Sequence, residues 1–298
     1  MPVTQEIPEW WIDTYEQNVL HGLQQKESRL EGTVGSFVIT GERRRFNYIG
    51  KREMKELVGS FEDTEYEDSR YGTRWAFTKP YYDAFKTDAT DIEKAFTDPT
   101  SDMTVEAVNA ARRLKDKVII KSLTAKVFCG HDADIIEEFP LEDNTIDIQT
   151  GSGASPSNQG LNLAKLLEAK YRFDKADIDE QDPRYFIITA KQLQDLLNVT
   201  EIKNKDYNTV QALVEGRINE YLGFHFIRTE LLPLDTETGI RTCHAYTRNS
   251  MKFGMRKGIT VKSAEVPTKH FNRVTEIFID LGAVRLYDEG VLAIPCAE

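Results

Sequence analysis

The sequence contains few residue groups whose spacing could support chemistry, and the densest one runs from His131 to Asp134. Imidazole and carboxylate side chains are common metal ligands. The group belongs to an acidic stretch, residues 131–149, which contains seven Asp or Glu and no Lys or Arg. We interpret the stretch as a solvated acidic turn. An acidic metal site in a soluble α/β enzyme is the alternative hypothesis.

A second acidic group does not fit a calcium site. Asp177, Asp179 and Asp182 resemble part of an EF-hand loop, but their spacing is wrong, because the ligand position five holds Gln181. Such a loop needs glycine at its sixth position and glutamate at its twelfth, where this chain has Asp182 and Ile188. The sequence therefore excludes a calcium site of this type.

The glycine-rich stretch 151–160 lacks the residues that would bind a nucleotide. It has no lysine for a P-loop, and Pro156 occupies the place of the third glycine in a dinucleotide fingerprint. The chain also lacks a GxSxG nucleophile motif, and its three cysteines are widely separated. We predict no catalytic residue, no metal and no cofactor, and hence a protein that is not an enzyme.

The charge argues against specific nucleic-acid recognition. The formal net charge is −11, whereas a nucleic-acid binder normally carries a basic excess. A container that encloses DNA without binding it tightly is compatible with this charge. No apolar run approaches the ~20 residues that span a membrane, and the first eleven residues contain no Lys or Arg. We therefore expect neither a membrane partner nor a secretory signal.

An amphipathic helix is predicted within the first 31 residues. Trp11, Tyr15, Val19 and Leu23 recur at intervals of four, which places them on one face of a helix. The opposite face is rich in Gln and Glu. The apolar stripe therefore needs a neighbour to cover it.

Residues 36–75 combine two predicted strands with a sharp division of charge. The strands, 37–40 and 46–49, flank a basic run. From 41 to 55, six Lys or Arg and two Glu give a net charge of +4, and from 56 to 70, six Asp or Glu and one Arg give −5. Because the segment has little apolar material for its own core, we predict a projecting, charged arm.

The strongest helical pattern covers residues 101–128. Capping side chains follow Pro99, and neither Gly nor Pro interrupts the run before Gly130, which is predicted to end the helix. About 25 helical residues would be about 37 Å long. This length is typical of a structural spine.

A second domain is predicted after the clearest linker in the sequence, 151–157. Helix and strand patterns alternate through it, as in a compact α/β unit, and strands prevail near the C-terminus. The predicted helices are 161–171, 193–197 and 210–221, and the predicted strands are 146–148, 185–189, 224–227, 258–262, 274–279 and 284–287.

A series of short motifs runs through most of the chain. They include 24–30, 41–42 before Phe46, 49–50, Thr73-Arg74, 98–101, Arg113, Asp116, 184–188, Leu193, 196–197, 206–207, 216–218, 223–224, Pro267, Lys269 and 282–285. Each motif alone is weak. Their order and spacing together resemble the major capsid proteins of tailed phages with the Hong Kong 97-type fold.

This resemblance implies an α+β subunit in five segments. They are an N-terminal arm (1–35), an extended loop (36–75), a peripheral domain (76–150) with a spine helix (101–128), an axial domain (151–255), and a return to the peripheral domain (256–298). Such subunits form pentamers and hexamers that close an icosahedral shell around double-stranded DNA. The implied partners are further copies of the chain and scaffolding, portal and decoration proteins. The implied location is the virion, after assembly in the cytoplasm of a bacterial host.

Contacts between charged surfaces would then contribute to assembly. We predict that basic residues of the extended loop lie across an acidic surface of a neighbouring subunit, the alternative being a merely soluble charged hairpin. The basic candidates are Arg43, Arg44, Arg45, Lys51 and Arg52, and the acidic candidates are Glu62, Asp63, Glu65, Glu67, Asp68 and the stretch 131–149. Each exposed pair contributes at most ~1 kcal/mol, but the symmetry of a shell repeats it many times.

Two other kinds of assembly are alternative interpretations of the same sequence patterns. An encapsulin-like shell shares the fold but encloses cargo enzymes, and a tail or other virion protein would form tubes or rings. The chain also departs from part of the family. No long helical segment precedes residue 30, so no internal scaffolding domain is expected, and no Lys–Asn crosslinking pair can be matched.

Overall fold

The computed structural model describes residues 25–50, 52, 54, 71–87, 99–151, 157–198, 220–269 and 272–298. Within these ranges the chain forms three β-sheets and four α-helices. None of the described helices is both long enough and apolar enough to cross a membrane.

The elements follow one another in this order. The strands are β1 (Gly35–Val38), β2 (Arg43–Ile49), β3 (Tyr71–Phe77), β4 (Lys79–Thr87), β5 (Val127–Cys129), β6 (Ile135–Glu137), β7 (Arg184–Ile188), β8 (Glu220–Tyr221), β9 (Phe224–Arg228), β10 (Leu234–Asp235), β11 (Ile240–Thr247), β12 (Met251–Val266), β13 (Asn272–Arg285) and β14 (Val291–Ala297). The helices are α1 (Pro99–Leu123), α2 (Leu141–Asn144), α3 (Leu163–Lys175) and α4 (Ala190–Asn198).

The central sheet has the order β10-β11-β7-β9-β8, with β14 also paired to β11. Its core includes Phe173 of α3, whose ring centroid lies 5.9 Å from that of Phe224, and Phe186, which lies 5.8 Å from Phe224. All three rings are fully buried. The predicted strands 185–189 and 224–227 are confirmed as β7 and β9. The first two predicted helices are confirmed as α3 and α4.

The long-strand sheet has the order β1-β12-β13-β4. β12 and β13 pair antiparallel along almost their whole length, and they contain the predicted strands 258–262 and 274–279. Helix α1, the spine helix, packs on β13, where Ile119 and Leu123 share the main core with Ile279 and Leu281. The spine helix thus covers one end of this sheet.

The spine helix ends earlier than the sequence pattern indicates. It ends at Leu123, and the following residues form β5, so the predicted range 101–128 was wrong at its C-terminal end. Arg285 donates from Nη1 to the carbonyl oxygens of Leu123 at 2.7 Å and Ala125 at 3.0 Å. These bonds satisfy carbonyl groups that a helix end leaves without partners. Gly130, with φ +87°, lies in the turn between β5 and β6 and does not end the helix.

Three other predictions need correction. Residues 146–148 do not form a strand. The Ile146 N–H donates to the Ala293 carbonyl at 2.9 Å, and the preceding residue, Thr145, forms an isolated β-bridge with Ala293. Of the predicted helix 210–221, residues 210–219 lie outside the described part of the chain, and Tyr221 belongs to β8. The predicted strand 284–287 is the end of β13, which stops at Arg285.

The sheets do not follow the order of the five predicted segments. β1 lies in the long-strand sheet, whereas β2 and β3 pair elsewhere, so the predicted strands 37–40 and 46–49 are not paired with each other. β14 returns to the central sheet, although it belongs to the segment 256–298. The division into five segments stays a prediction.

Candidate assembly surfaces

The third sheet carries the predicted basic residues, and we call it the arginine sheet. Its order is β2-β3-β5-β6. The sequence pattern placed Arg43, Arg44 and Arg45 between two strands, but they are the first three residues of β2. Because side chains alternate along a strand, Arg44 faces one side of the sheet, and Arg43 and Arg45 face the other.

Arg44 is exposed as well, but it lies on the side of the arginine sheet that carries the small core around Phe37 and Ala76. Its Nη1 donates to the Val38 carbonyl at 2.6 Å. Its guanidinium lies 5.6 Å from the ring centroid of Phe37 and 5.4 Å from that of Phe46. Phe37 belongs to a small core with Ala76 and other buried residues. Arg44 therefore stabilises its own subunit.

The outer side of the arginine sheet is aromatic. Arg43 lies 4.7 Å and Arg45 5.9 Å from the ring centroid of Trp75. Phe77 and Phe128 form an edge-to-face pair with centroids 5.1 Å apart. The Trp75 Nε1–H donates to the Gly130 carbonyl at 2.8 Å, which fixes the indole ring.

These residues form one continuous surface, because directly opposite residues share a face of a sheet. The strand register places Arg45 opposite Trp75, Trp75 opposite Phe128, and Phe128 opposite Ile136. Ile136 is 55% exposed, and both arginines are exposed. We call Arg43, Arg45, Trp75, Phe77, Phe128 and Ile136 the arginine–aromatic face.

The structure does not test most of the predicted charge pairs. Lys51 and all five acidic candidates, Glu62, Asp63, Glu65, Glu67 and Asp68, lie outside the described residues. Arg52 is described and exposed. Within the described ranges, Arg43 Nη1 donates to the Asp132 carbonyl of the same subunit at 3.5 Å.

The acidic group at 131–134 shows no metal-binding geometry. His131 and Asp132 are both largely exposed and lie 3.3 Å apart. The described part of the chain contains no group of three or more His, Cys, Asp or Glu side chains that could hold a metal ion.

A buried aspartate holds the start of the described chain on the spine helix. Asp116 accepts hydrogen bonds from the Gln25 side chain at 2.5 Å and the Ser28 hydroxyl at 2.6 Å, and from the backbone N–H groups of Arg29 and Leu30, both at 3.1 Å. Asp116 is fully buried. Four donors therefore converge on one carboxylate.

Basic residues of the same helix add to this attachment. Arg112 donates to the Lys26 carbonyl at 3.2 Å, and Arg113 donates to the Gln25 carbonyl at 3.3 Å. Lys115 forms an ion pair with Glu31 at 2.8 Å. The two motifs 24–30 and Arg113 to Asp116, which are far apart in the sequence, thus meet in the structure.

A second buried charge cluster joins the arginine sheet to the long-strand sheet. Arg74 of β3 binds both carboxylate oxygens of Asp288, at 3.0 and 2.6 Å, and Arg285 of β13 donates from Nε to the same carboxylate at 2.5 Å. Burial alone would raise the pKa of Asp288, but hydrogen bonds from the two arginines outweigh it and hold that pKa below its ordinary value. Since Arg285 also binds the end of the spine helix, this junction fixes the helix relative to the sheets.

These buried clusters have almost no counterpart in the sequence patterns. Asp116 and Arg285 belong to the series of weak motifs, and Asp288 belongs to none of them. For Arg285 the available signal is a charged residue within an apolar pattern, after Ala283-Val284 and before Leu286. Asp116 lies among the charged residues of 112–117, so no such signal distinguishes it. Charged residues are almost never fully buried unless they are paired.

Comparisons with known proteins agree on one family. The model of the phage capsid protein family matches residues 7–298. No curated protein sequence matches the chain. Solved structures with a similar fold include the capsids of the cyanophage P-SCSP1u (TM-score 0.73, 14% identity, covering 97% of this chain and 94% of that one) and the cyanophage Pam1 (0.72, 10%, 100% and 99%).

A further similar structure is the acid-stable capsid of the Helicobacter pylori bacteriophage KHP30, with a TM-score of 0.70, 11% identity and 93% coverage of each chain. At such low identities the structures establish the fold alone. The mixed helix-and-sheet fold matches phage capsid structures, with which the predicted Hong Kong 97-type fold is consistent. The family match over nearly the whole chain, together with this fold, shows that the chain belongs to the phage capsid protein family and is a phage major capsid protein.

Proposed function

We propose that this major capsid protein assembles into the pentamers and hexamers of an icosahedral head, which encloses the double-stranded DNA of a tailed phage. Its role is structural and not catalytic, and assembly takes place in the cytoplasm of the bacterial host. The match to the phage capsid family over residues 7–298 supports this proposal. Several similar structures are asymmetric units of assembled capsids, which also supports it.

The arginine–aromatic face is the contact surface that we propose between neighbouring subunits. The observation that carries this proposal is the stacking of Arg43 and Arg45 on Trp75. Each guanidinium is held over the Trp75 ring while remaining exposed. Each can therefore donate hydrogen bonds to a carboxylate without a large loss of side-chain freedom. A cation–aromatic contact stabilises by about 0.5–1 kcal/mol at exposed sites and by about 2 kcal/mol when it is desolvated.

The proposed partner surface is acidic. Its candidates are the charged segment with Glu62, Asp63, Glu65, Glu67 and Asp68, and the stretch 131–149. The contact of Arg43 with the Asp132 carbonyl in its own subunit suggests that the first segment is the better candidate of the two. One such contact is weak, but a closed shell repeats it at every equivalent interface.

The proposed shell encloses the packaged DNA without binding it tightly. A net charge of −11 disfavours tight phosphate binding by the subunit as a whole, so the proposed shell contains DNA without sequence-specific contacts. Scaffolding, portal and decoration proteins are further proposed partners, because the family builds complete heads with them.

Charge reversal tests the proposed interface. The double substitution Arg43→Glu and Arg45→Glu is expected to abolish or deform particles, as judged by electron microscopy of the overexpressed protein. The matched control, Lys175→Glu with Arg248→Glu, makes the same change of net charge at exposed positions of other elements and is expected to leave the particles unchanged. Normal particles from the first variant would show that the arginine–aromatic face is not required for assembly.

A conservative variant separates charge from stacking. Arg43→Lys with Arg45→Lys keeps both positive charges but removes the planar guanidinium groups that stack on Trp75. We expect particles that form but dissociate at lower salt than the wild type, because lysine retains the charge attraction and loses the preorganised geometry. The measurement is the fraction of intact particles in size-exclusion chromatography over a salt series.

A further inference from the structure

An open groove runs between the spine helix and the long-strand sheet. It encloses about 250 Å³, which is below the ~300–1,000 Å³ typical of small-molecule sites. Its floor is apolar and buried, formed by Ile277 and Ile279 of β13. Tyr81, Ala110 and Leu114 line its sides. The size and lining suit a few side chains of a protein segment better than a soluble ligand.

The rim of the groove carries charged side chains. Arg113, which forms an ion pair with Glu106 at 3.1 Å, and Lys117 lie on the side of the spine helix, and Asp83 of β4 lies on the other side. Lys117 is exposed. A segment that fits this groove therefore combines apolar side chains with acidic ones.

The N-terminal segment, residues 1–24, has this composition. It carries Glu6, Glu9, Asp13 and Glu16 and contains no Lys or Arg, a net charge of −4. Its apolar residues Trp11, Tyr15, Val19 and Leu23 recur every four positions, the spacing of one helical face. This stripe needs an apolar surface to cover it.

The position of Gln25 connects the segment to the groove. Arg113, which lines the groove, donates from Nη1 to the Gln25 carbonyl at 3.3 Å. Gln25 is also held by Asp116 at 2.5 Å. The last residue of the segment, Gln24, is therefore bonded covalently to Gln25, which contacts the rim residue Arg113. A segment tethered so close to a site has a high effective concentration there, so weak contacts are enough to occupy it.

We propose that the groove between the spine helix and strands β4 and β13 binds the N-terminal segment of the same chain. The apolar stripe packs on Tyr81, Ala110 and Leu114 above the buried Ile277 and Ile279, and the acidic residues lie near Lys117. The docking is a property of the single subunit. Its failure would leave the proposed capsid function unaffected, because that function is tested by particle formation.

Cysteine crosslinking in the full-length, unassembled protein tests this proposal. The pair Leu23→Cys and Ala110→Cys is oxidised mildly, the three native cysteines being buried. We expect a crosslinked monomer on a non-reducing gel. The control pair is Leu23→Cys with Val105→Cys, since Val105 is exposed and lies about 140° around the helix from Ala110, and it is expected to crosslink at least fivefold more slowly.

Two outcomes of the crosslinking experiment would overturn the proposal. Crosslinked dimers would show that a second copy occupies the groove, and equal crosslinking of the two pairs would show that the segment does not dock there.

A groove-filling variant gives an independent measurement. Ala110→Arg places a long side chain in the groove and is expected to make cleavage within residues 1–24 by a glutamate-specific protease several times faster. Val105→Arg makes the same substitution outside the groove and should leave the rate unchanged. Equal cleavage rates in these two variants and the wild type would contradict the proposal, provided that circular dichroism shows all three folded.

Discussion

Arginine residues serve opposite purposes in two regions of this subunit. Arg285 is fully buried, and its guanidinium is held by Asp288 and by the carbonyl groups at the end of the spine helix. Arg43 and Arg45 are exposed on an aromatic surface. The buried charge is neutralised within the subunit, so it defines the fold. The exposed charges remain accessible to a partner, so they are suited to define an assembly.

This comparison predicts that changes in the buried region destabilise the subunit, while changes at the arginine–aromatic face affect assembly alone. The largest effect is expected from Asp288→Asn, which leaves Arg285 without a carboxylate partner and Arg74 with Glu137 alone. Breaking a buried pair costs about 3–5 kcal/mol of the free energy of unfolding. Urea denaturation of the unassembled subunit measures it.

The neighbouring Glu289 provides the control for this substitution. It is exposed, so Glu289→Gln is expected to change the free energy of unfolding by less than about 0.5 kcal/mol. An equally small change in the free energy of unfolding for Asp288→Asn would show that the second buried charge cluster does not depend on the charge of Asp288.

Acid is expected to have the next largest effect. His244 is buried in β11, and burial lowers its pKa from 6.5 to about 4. Because the unfolded chain binds this proton at a higher pH, stability is complete above pH 6.5 and falls as the pH drops towards 4. The linkage amounts to about 3 kcal/mol. The free energy of unfolding, measured by urea denaturation over this pH range, should depend less steeply on pH in His244→Gln than in the wild type. An equally steep dependence in the two proteins would contradict the assignment to His244.

Removal of the carboxylate that holds the N-terminal attachment should have a smaller effect. Asp116→Ala leaves four donors without their acceptor, and residues 25–30 can recover water as partners. We expect a loss of about 2 kcal/mol and faster proteolysis within residues 25–31. Lys121→Ala, at an exposed position of the same helix, is the control. Unchanged proteolysis in the aspartate variant would mean that the apolar contacts of Leu30 are sufficient.

The smallest effect on subunit stability is expected at the arginine–aromatic face. Arg43→Glu with Arg45→Glu should change the free energy of unfolding by less than about 1 kcal/mol, although it abolishes particle formation. Arg44→Glu is expected to cost more stability, because Arg44 binds Val38 and packs on two rings. A stability loss of several kcal/mol in the double variant would remove the distinction between the two regions.

The sequence predicted the elements whose patterns are local. Helix α3 and strands β7 and β9 follow from apolar periodicity, and the spine helix follows from a long run without Gly or Pro. Its true end could not be predicted, because it depends on Arg285, more than 150 residues later. β14 lies at the end of the C-terminal part that was expected to be mostly strands, but its bounds were not predicted. Pro295 falls within it, and proline usually disfavours a strand assignment.

The candidate site was only partly accessible to sequence reasoning. The basic run at 43–45 was visible, but its division between the two faces of β2 requires knowing where the strand begins. Trp75 and Phe128 meet the arginines only through the pairing of β3 with β2 and β5. Such pairings between distant segments leave no signal in a single sequence.

The most direct test is electron microscopy of the purified wild-type protein after size-exclusion chromatography, carried to a reconstruction of any particle that forms. We predict closed icosahedral shells or capsomer rings, in which an acidic segment of a neighbouring subunit covers Trp75 and the two exposed arginines. A protein that stays monomeric under all conditions, including the addition of phage lysate, would contradict the capsid function. A shell in which this face is open to solvent would contradict the proposed contact.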